Sequence, residues 1–321
     1  MKKYILNDNK KILFLKNNEI LIDGKNAYRI KLTETDYNNL TEICKKYMIF
    51  SKECVSSKLF NKLYSNKIIV EANKNIVESY QNRNERNELF AFNFFSNNTF
   101  KKLYDKKILF VGVGGIASII IDQLISVGIY KFSIIDFDKV DISNLNRQFV
   151  YREKDVGLKK TDLFEQYILS KNKNAVIKKY DLMLETSSQL ETIIKKDDID
   201  FMINSADMPP YCLQKNIVES SIKLNVPCIF GGVGITEGSY GPLLTNKSCK
   251  IKYLKNINNI LSKVNYFFPC KSSFGVTNSI ISTYMSWDII MYLLGEKKYV
   301  KSLNKEIFVN FKETKLWEKL L

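Results

Sequence analysis

From residue 107 onward, short apolar runs alternate with stretches whose apolar residues recur every three to four positions. KILFVG (107–112), KFSIID (131–136), AVIKKY (175–180), DFMINS (200–205) and PCIFGG (227–232) read as strands. The segments between them, running to about Val127 and over about 159–171, 187–195 and 210–224, read as helices. Apolar runs of this length, joined by helical crossovers, predict an α/β fold: a Rossmann-like, mostly parallel sheet with helices on both faces. Past it, 235–244 reads as extended, 245–268 as a long Asn- and Lys-rich loop, 276–294 as an apolar helix and EIFVNF (306–311) as a last strand.

The first 72 residues have a different rhythm. KILFLK (11–16), EILIDG (19–24) and AYRIKL (27–32) alternate as short strands between Asn- and Gly-bearing turns. A helix capped by Thr33 or Thr35 runs to about Tyr47, a second covers 52–65, and KIIVE (67–71) adds a strand. Strands and helices in this number suit a small winged-helix-like α+β module, though a plain N-terminal extension would show the same pattern. Residues 73–106 are polar, Asn-rich and helical in pattern, ending in an amphipathic run over 92–104. The expected division is therefore 1–72, a helical linker over 73–106, and 107–321.

Composition narrows the chemistry. The chain has 321 residues and no His, which excludes Ser-His-Asp hydrolysis, His-ligated zinc and His proton shuttles. Net charge is 49 − 34 = +15, but the Lys residues are spread along the chain and no dense basic block interleaves with aromatics. Nucleic-acid binding is not expected, because its electrostatic footprint is clustered. The six Cys form no C-x-x-C pair, so no zinc site is expected and buried free thiols are the default. The N-terminus lacks an apolar core of signal-peptide length. The apolar stretch 108–129 holds Gly112, Gly114, Gly115 and Asp122, which favours strand–turn–helix over a membrane span. A cytoplasmic protein that does not associate with membranes is the expectation.

Two segments carry candidate chemistry. Gly112-Val113-Gly114-Gly115-Ile116-Ala117 follows a strand and opens a helix, so its backbone can approach a phosphate at a helix N-terminus. Asp136, at the end of the next strand, stands where a carboxylate accepts hydrogen bonds from a ribose. On these residues alone an NAD enzyme remains open. The sharper segment is Asp136-Phe137-Asp138-Lys139-Val140-Asp141-Ile142-Ser143-Asn144-Leu145-Asn146-Arg147-Gln148, followed by Val156-Gly157, Lys159-Lys160 and, after another strand, Ser205-Ala206-Asp207. It lies at the carboxyl end of a parallel strand, where open α/β sheets bind ligands.

This set resembles the ThiF/MoeB/HesA superfamily, the ubiquitin-activating-like adenylyltransferases, over roughly residues 83–296. The resemblance implies ATP and Mg²⁺ as cofactors, adenylation of a carboxylate, and a homodimer. It implies that Gly112, Gly114, Gly115, Asp136 and Asp138 belong to the nucleotide site, with Asp136 on the ribose. Asn144 and Arg147 resemble the residues that hold the triphosphate, and Gln148 supports the same motif. Lys160 falls at the phosphate-binding Lys, with Lys159 as the alternative register, and Asp207 at the Mg²⁺-binding Asp. Arg83-Asn84-Glu85-Arg86 resembles the segment whose second Arg, here Arg86, reaches the γ-phosphate across the dimer interface. Three of only five Arg fall in these segments, in a chain that otherwise uses Lys, and Arg is the residue for bidentate phosphate contacts. Asp207 could instead cap a helix ahead of Pro209 and Pro210, and Lys160 could be a solvated helix residue.

The departures also carry information. Cys249 and Cys270 stand where many members begin two zinc-binding C-x-x-C pairs, and the second Cys of each is missing. They are candidates for a thioester Cys by position only. Ser272-Ser273-Phe274-Gly275-Val276-Thr277-Asn278-Ser279 resembles the subset from peptide natural-product pathways, the microcin C type, whose members carry an N-terminal winged-helix peptide clamp. That implies a peptide partner with a free C-terminal carboxylate. Rivals are an activating enzyme for a ubiquitin-like sulfur carrier, a non-catalytic leader-peptide scaffold, and the NAD oxidoreductase, which leaves the S-N-L-N-R-Q block unexplained.

Overall fold

A computed structural model describes residues 2–23, 27–46, 49–95, 98–264 and 272–321. The chain divides into two compact units, Met1–Phe100 and Lys101–Leu321.

In the first unit, β1 (Tyr4–Leu6) pairs antiparallel with β5 (Ile69–Glu71), while β2 (Lys11–Leu15), β3 (Glu19–Asp23) and β4 (Tyr28–Lys31) form an antiparallel sheet. The β2–β3 turn uses Asn17 and Asn18 at φ 61 and 56, a conformation Asn tolerates better than most residues. The helices are α1 (Glu34–Lys46), α2 (Ser57–Ser65), α3 (Lys74–Ser79) and α4 (Glu85–Phe94), so both helices of the 73–106 segment fall in this unit. Alternate strand residues Ile20, Ile22 and Ile30 meet Leu40, Ile43, Leu59, Phe60 and Leu63 in one core. Buried Asp36 ties α1 to α2 by accepting both the amide and the hydroxyl of Ser56, the α2 cap, at 2.7 and 2.6 Å. The expected amphipathic run over 92–104 is not one helix: α4 ends at Phe94 and a separate 3-10 turn covers Phe100–Leu103.

In the second unit, β6 (Lys107–Val111), β7 (Lys131–Ile135), β8 (Val176–Tyr180), β9 (Phe201–Asn204) and β10 (Cys228–Ile229) form a five-stranded parallel sheet in the order β10-β9-β6-β7-β8. The expected parallel sheet flanked by helices is what the chain folds into. The helices are α5 (Gly115–Ser126), α6 (Lys160–Lys171), α7 (Ser187–Asp197) and α8 (Cys212–Leu224). Strands β6 and β9 are buried along nearly their whole length, as strands covered on both faces must be. The chain moves outward from β6 to β7 and β8, then returns to β9 on the other side of β6. The switch point of the topology therefore lies at the carboxyl ends of β6 and β9.

A second, antiparallel sheet follows, in the order β11 (Gly231–Val233), β12 (Glu237–Tyr240), β13 (Lys305–Asn310) and β14 (Lys315–Leu320), with α9 (Lys247–Leu261) and α10 (Gly275–Leu293). α10 packs between α5 and this sheet. Gly231 leaves room for Met285, and Gly238 for Ile281. Helix α9 corrects the expectation of a loop over 245–268. Asn246 caps it by accepting the Cys249 amide at 2.8 Å. Lys250, Leu254, Ile257 and Leu261 recur at helical spacing toward the core, and Asn- and Lys-rich positions between them hide the period. Strands β1 and β14 are also additions to the sequence reading. β14 is exposed along its whole length, so its sequence shows no buried alternation.

Candidate active site

Gly112 leaves β6 at φ +87, and a Cβ there would lie 2.6–2.9 Å from Ala206 in the loop after β9. Only glycine lets the two loops touch at the switch point. The crossing is pinned by Ser205, whose amide donates to the Val111 carbonyl at 2.9 Å and whose hydroxyl donates to the Gly112 carbonyl. Val113 is held from two sides. Its amide donates to Asp136 Oδ2 at 2.8 Å, and its carbonyl accepts the buried Tyr151 hydroxyl at 2.8 Å. That leaves the first turn of the 12-residue α5, starting at Gly115, with amides that have no intrahelical partner and a positive dipole end. A Cβ on Gly115 would lie 2.7 Å from Asn278 Oδ1 and 3.3 Å from Arg147 Cγ. This glycine is thus clamped between α10 and the polar loop after β7.

That loop is a compact hydrogen-bonded turn. Asp136 Oδ1 accepts the Asp138 amide at 2.8 Å, so both carboxylate oxygens of Asp136 are anchored to backbone. Burial pushes the Asp136 carboxyl above its ordinary value, against the pull of these amides and of Lys160. Asp141 caps a 3-10 turn over Ile142–Asn144 through the Ser143 amide at 2.8 Å, and Asn144 Oδ1 accepts the Asp141 amide at 3.2 Å. The Arg147 guanidinium donates to the Ser143 carbonyl and to Asn146 Oδ1, both at 2.9 Å. These two bonds use one guanidinium nitrogen. Gln148 is buried, and its Oε1 has no hydrogen-bond partner among the described residues.

Lys160 is the first residue of α6 and is 5% exposed, so it is not a solvated helix residue. Its ammonium sits 2.8 Å from the Asp138 carboxylate, while Lys159 turns away to pair with Asp181 at 2.6 Å. Asp207 is exposed and makes no hydrogen bond or ion pair with the described residues. It does not cap α8, which begins five residues later behind Tyr211.

These groups line one cavity of about 350 Å³, together with Leu182, Leu184, Met208, Gly231, Gly232, Ser273 and Asn278. Gly112, Gly114, Gly115, Asp136, Asp138, Asn144, Arg147, Gln148, Lys160 and Asp207 are thus brought together, although they span 96 positions of the chain. Arg86 stands in the first turn of α4, in the other unit. Cys249 is in the first turn of α9, and Cys270 lies outside the described residues. Sequence reasoning assigned no role to Tyr151, Ser205 or Asn278. Ser205 and Asn278 sit inside motifs quoted above, but the contacts of Tyr151 and Ser205 with backbone carbonyls and of Asn278 with Gly115 are made across the fold and show in no local pattern.

The arrangement suits a nucleoside triphosphate. It offers a glycine-lined helix N-terminus, a cation on each of two elements, an anchored carboxylate and a buried amide oxygen that lacks a donor. For Mg²⁺ it offers Asp207, a carboxylate with no partner among the described residues. Among the described residues no three His, Cys, Asp or Glu side chains cluster as a metal cage. Mg²⁺ is typically held by one or two carboxylates together with substrate phosphates, which fits such a set.

Residues 86–320 match the model of the ThiF family. The chain belongs to the ThiF family. Among relatives, it is 30% identical over 205 residues to a probable molybdopterin-synthase adenylyltransferase of Porphyra purpurea, covering 63% of this chain and 52% of that protein. It is 30% identical over 134 residues to SUMO-activating enzyme subunit 2 of Dictyostelium discoideum, covering 42% of this chain and 20% of that protein. The chain thus spans about half or less of the length of these curated relatives. Among solved structures, E. coli MccB with ATP superposes at a TM-score of 0.69 with 23% identity, covering 99% of this chain and 96% of that one. MccB with MccA-N7isoASN gives 0.69 and 22% over the same shares, and PaaA gives 0.66 and 19% over 98% of each chain. The fold is the one these proteins share. Among the described residues no helix is long and apolar enough to cross a membrane.

Proposed function

We propose that this ThiF-family chain is an ATP- and Mg²⁺-dependent adenylyltransferase that activates the C-terminal carboxylate of a ribosomally made peptide. The observation that carries this reading is the cavity at the β6/β9 switch point. It combines the glycine-lined start of α5, Arg147, Lys160 and partnerless Asp207 in one space. In the reaction a carboxylate oxygen of the peptide bonds to the α-phosphorus of ATP. The bond from that phosphorus to the bridging oxygen breaks, and pyrophosphate leaves with the electron pair. Nothing needs deprotonation, because the nucleophile is already an anion, so a chain without His can do it.

The α5 amides and Arg147 cradle the phosphates, Asn144 and Gln148 hold the turn that aims Arg147, and Asp136 orients the ribose. Lys160 exchanges Asp138 for a phosphate oxygen and meets the charge that develops on the leaving pyrophosphate. Mg²⁺, held by Asp207 and the phosphates, would supply further charge neutralisation.

The peptide class is favoured by the extent of the likeness. The MccB structures, solved with ATP and with MccA, superpose over 99% of this chain, first unit included. The relatives that act in molybdopterin synthesis or SUMO activation match 63% and 42% of it. On this reading the first unit is a peptide clamp, and the 73–106 segment brings Arg86 to the site. A homodimer, with Arg86 reaching the partner's γ-phosphate, is supported by the exposed apolar stripe Val276, Ile280, Tyr284 and Trp287 along α10. The setting is cytoplasmic, with no nucleic-acid or membrane partner.

The test is pyrophosphate release from ATP–Mg²⁺ with short peptides bearing free carboxyl ends, wild type against Asp207→Ala. Peptide-dependent release that falls about 10²-fold or more in the variant supports the reading. Release only with a folded carrier ending in Gly-Gly would favour the sulfur-carrier alternative. Peptide binding with no release would favour a scaffold.

A further inference from the structure

Lys160 reaches the cavity from the first position of α6. Consecutive side chains on a helix diverge by about 100° around its axis. A turn of the helix by one residue would send Lys159 toward the cavity and Lys160 away from it. The two side chains are chemically identical, so attraction to an anion does not choose between them. Something in the fold must set the phase of this helix start.

Two ties hold Lys160 to the loop after β7. Its amide donates to the Asp138 carbonyl at 3.0 Å, and its ammonium donates to the Asp138 carboxylate at 2.8 Å. The second tie is given up when the ammonium turns to a phosphate. The residues on either side of Lys160 are held differently, by one group from another strand. Asp181, the first residue after β8, accepts the Lys159 ammonium on Oδ2 at 2.6 Å and the Thr161 hydroxyl on Oδ1. Thr161 is buried, so its hydroxyl has little access to water as an alternative partner. The bonds to Lys159 and Thr161 hold the Asp181 carboxyl below its ordinary value, so at neutral pH it accepts from both.

Asp181 is itself well placed to act as a fixed point. The carbonyl of Tyr180, just before it, accepts the Asp136 amide at 3.2 Å, and Leu182, just after it, lines the cavity. Asp181 is not among the described residues that line the cavity, so a ligand there leaves its two bonds intact. A further tie from β8 to α6 offers a contrast. Lys179 pairs with Asp162 and Glu165, each at 2.7 Å, and so helps dock the helix without holding Lys159 or Thr161.

We propose that Asp181 is a positioning residue for Lys160. By gripping Lys159 and Thr161 together it fixes the phase of the first turn of α6, so that Lys160 meets the nucleotide phosphates once its bond to the Asp138 carboxylate is released. This rests on the reading that the cavity takes a nucleoside triphosphate.

The test measures the affinity of the full chain for an α,β-methylene ATP analogue with Mg²⁺ by calorimetry. It compares wild type, Lys160→Ala, Asp181→Ala and the double variant, each checked by a melting curve. Lys160→Ala should weaken binding about tenfold and Asp181→Ala roughly fivefold. The double variant should bind no more weakly than Lys160→Ala alone, because Asp181 acts only through that lysine. Asp181→Asn, which keeps an acceptor for Thr161, should restore binding to within about twofold of wild type. Lys179→Ala, which loosens the helix elsewhere, should also stay within about twofold of wild type. If Asp181→Ala does not fold, Thr161→Val takes its place in the same cycle. Losses that add in the double variant would overturn the proposal, because a merely structural role weakens binding with or without Lys160. Wild-type affinity in Asp181→Ala or in Lys160→Ala would overturn it, as would a loss in Lys179→Ala equal to that of Asp181→Ala. No binding of the analogue by wild type would overturn it together with the nucleotide reading. Pyrophosphate release separates the remaining cases. Coupled losses of binding without peptide-dependent release would keep Asp181 in its role and remove peptide adenylation. Peptide-dependent release with additive losses would do the reverse.

Discussion

One wall of the cavity comes from a single stretch of chain, Gly112 to Lys160. The rest is assembled from the loops after β8 and β9, β11, the residues ahead of α10 and α10 itself. The first wall is dense in backbone-anchored polar groups: Asp136 is held by two amides, Arg147 by two acceptors, and Lys160 by Asp138. The second sets Gly231 and Gly232 beside the loop that carries the exposed Asp207. A triphosphate looks the same to every member of a family, so its wall can be rigid and local. An acceptor differs from member to member, and its wall is built from parts that can change separately.

Arg147→Ala should break the first wall most severely. On the proposed reading, losing this cavity-lining guanidinium should lower pyrophosphate release about 10³-fold, with peptide retention unchanged in a pull-down. Gly112→Ala comes next. Its Cβ would collide with Ala206 at a left-handed φ, so urea unfolding should show a loss of about 3 kcal/mol, with nucleotide binding falling in parallel.

A smaller effect, with a defined pH signature, belongs to the antiparallel sheet beyond the cavity. A raised Glu306 carboxyl means the folded chain holds that proton more tightly than the unfolded one. Its stabilising contribution is full below the unfolded value near 4.5 and is lost as pH rises through the raised folded value. Glu306→Gln has no such loss. In urea melts its stability relative to wild type should grow as pH rises from about 4 to about 7, and a flat difference would mean that Lys319, its partner in the β13–β14 register, offsets the burial.

The smallest effect tests the far end of the sheet. Lys107 pairs there with Asp198, an 88% exposed side chain in the left-handed region that Asn also occupies readily. Asp198→Asn should cost less than about 0.5 kcal/mol and leave pyrophosphate release at the wild-type rate.

How much was legible follows the same division. The strand and helix order of the parallel sheet could be read because buried strands are continuous apolar runs and their helices keep a clear period. Asp136, Asn144, Arg147 and Gln148 could be read because they share one tight turn whose side chains must serve its backbone. Helix α9 could not, since only Lys250 and Ile257 of its 15 residues are buried and one of those is a lysine. That lysine is inside because its ammonium caps the Ser221 and Val226 carbonyls at 3.0 and 3.2 Å. No local pattern announces a buried cation whose acceptors lie 24 or more residues away.

By itself the sequence determined the α/β architecture, the family and the polar turn after β7, because each depends on residues close enough along the chain to constrain one another's backbone. Only the tertiary structure decided that Lys160 rather than Lys159 faces the cavity, that Asn278 presses on Gly115, and that the Lys250 ammonium is buried against the Ser221 and Val226 carbonyls. Those outcomes depend on which elements pack together, and distance along the chain does not encode the direction in which a side chain finally points.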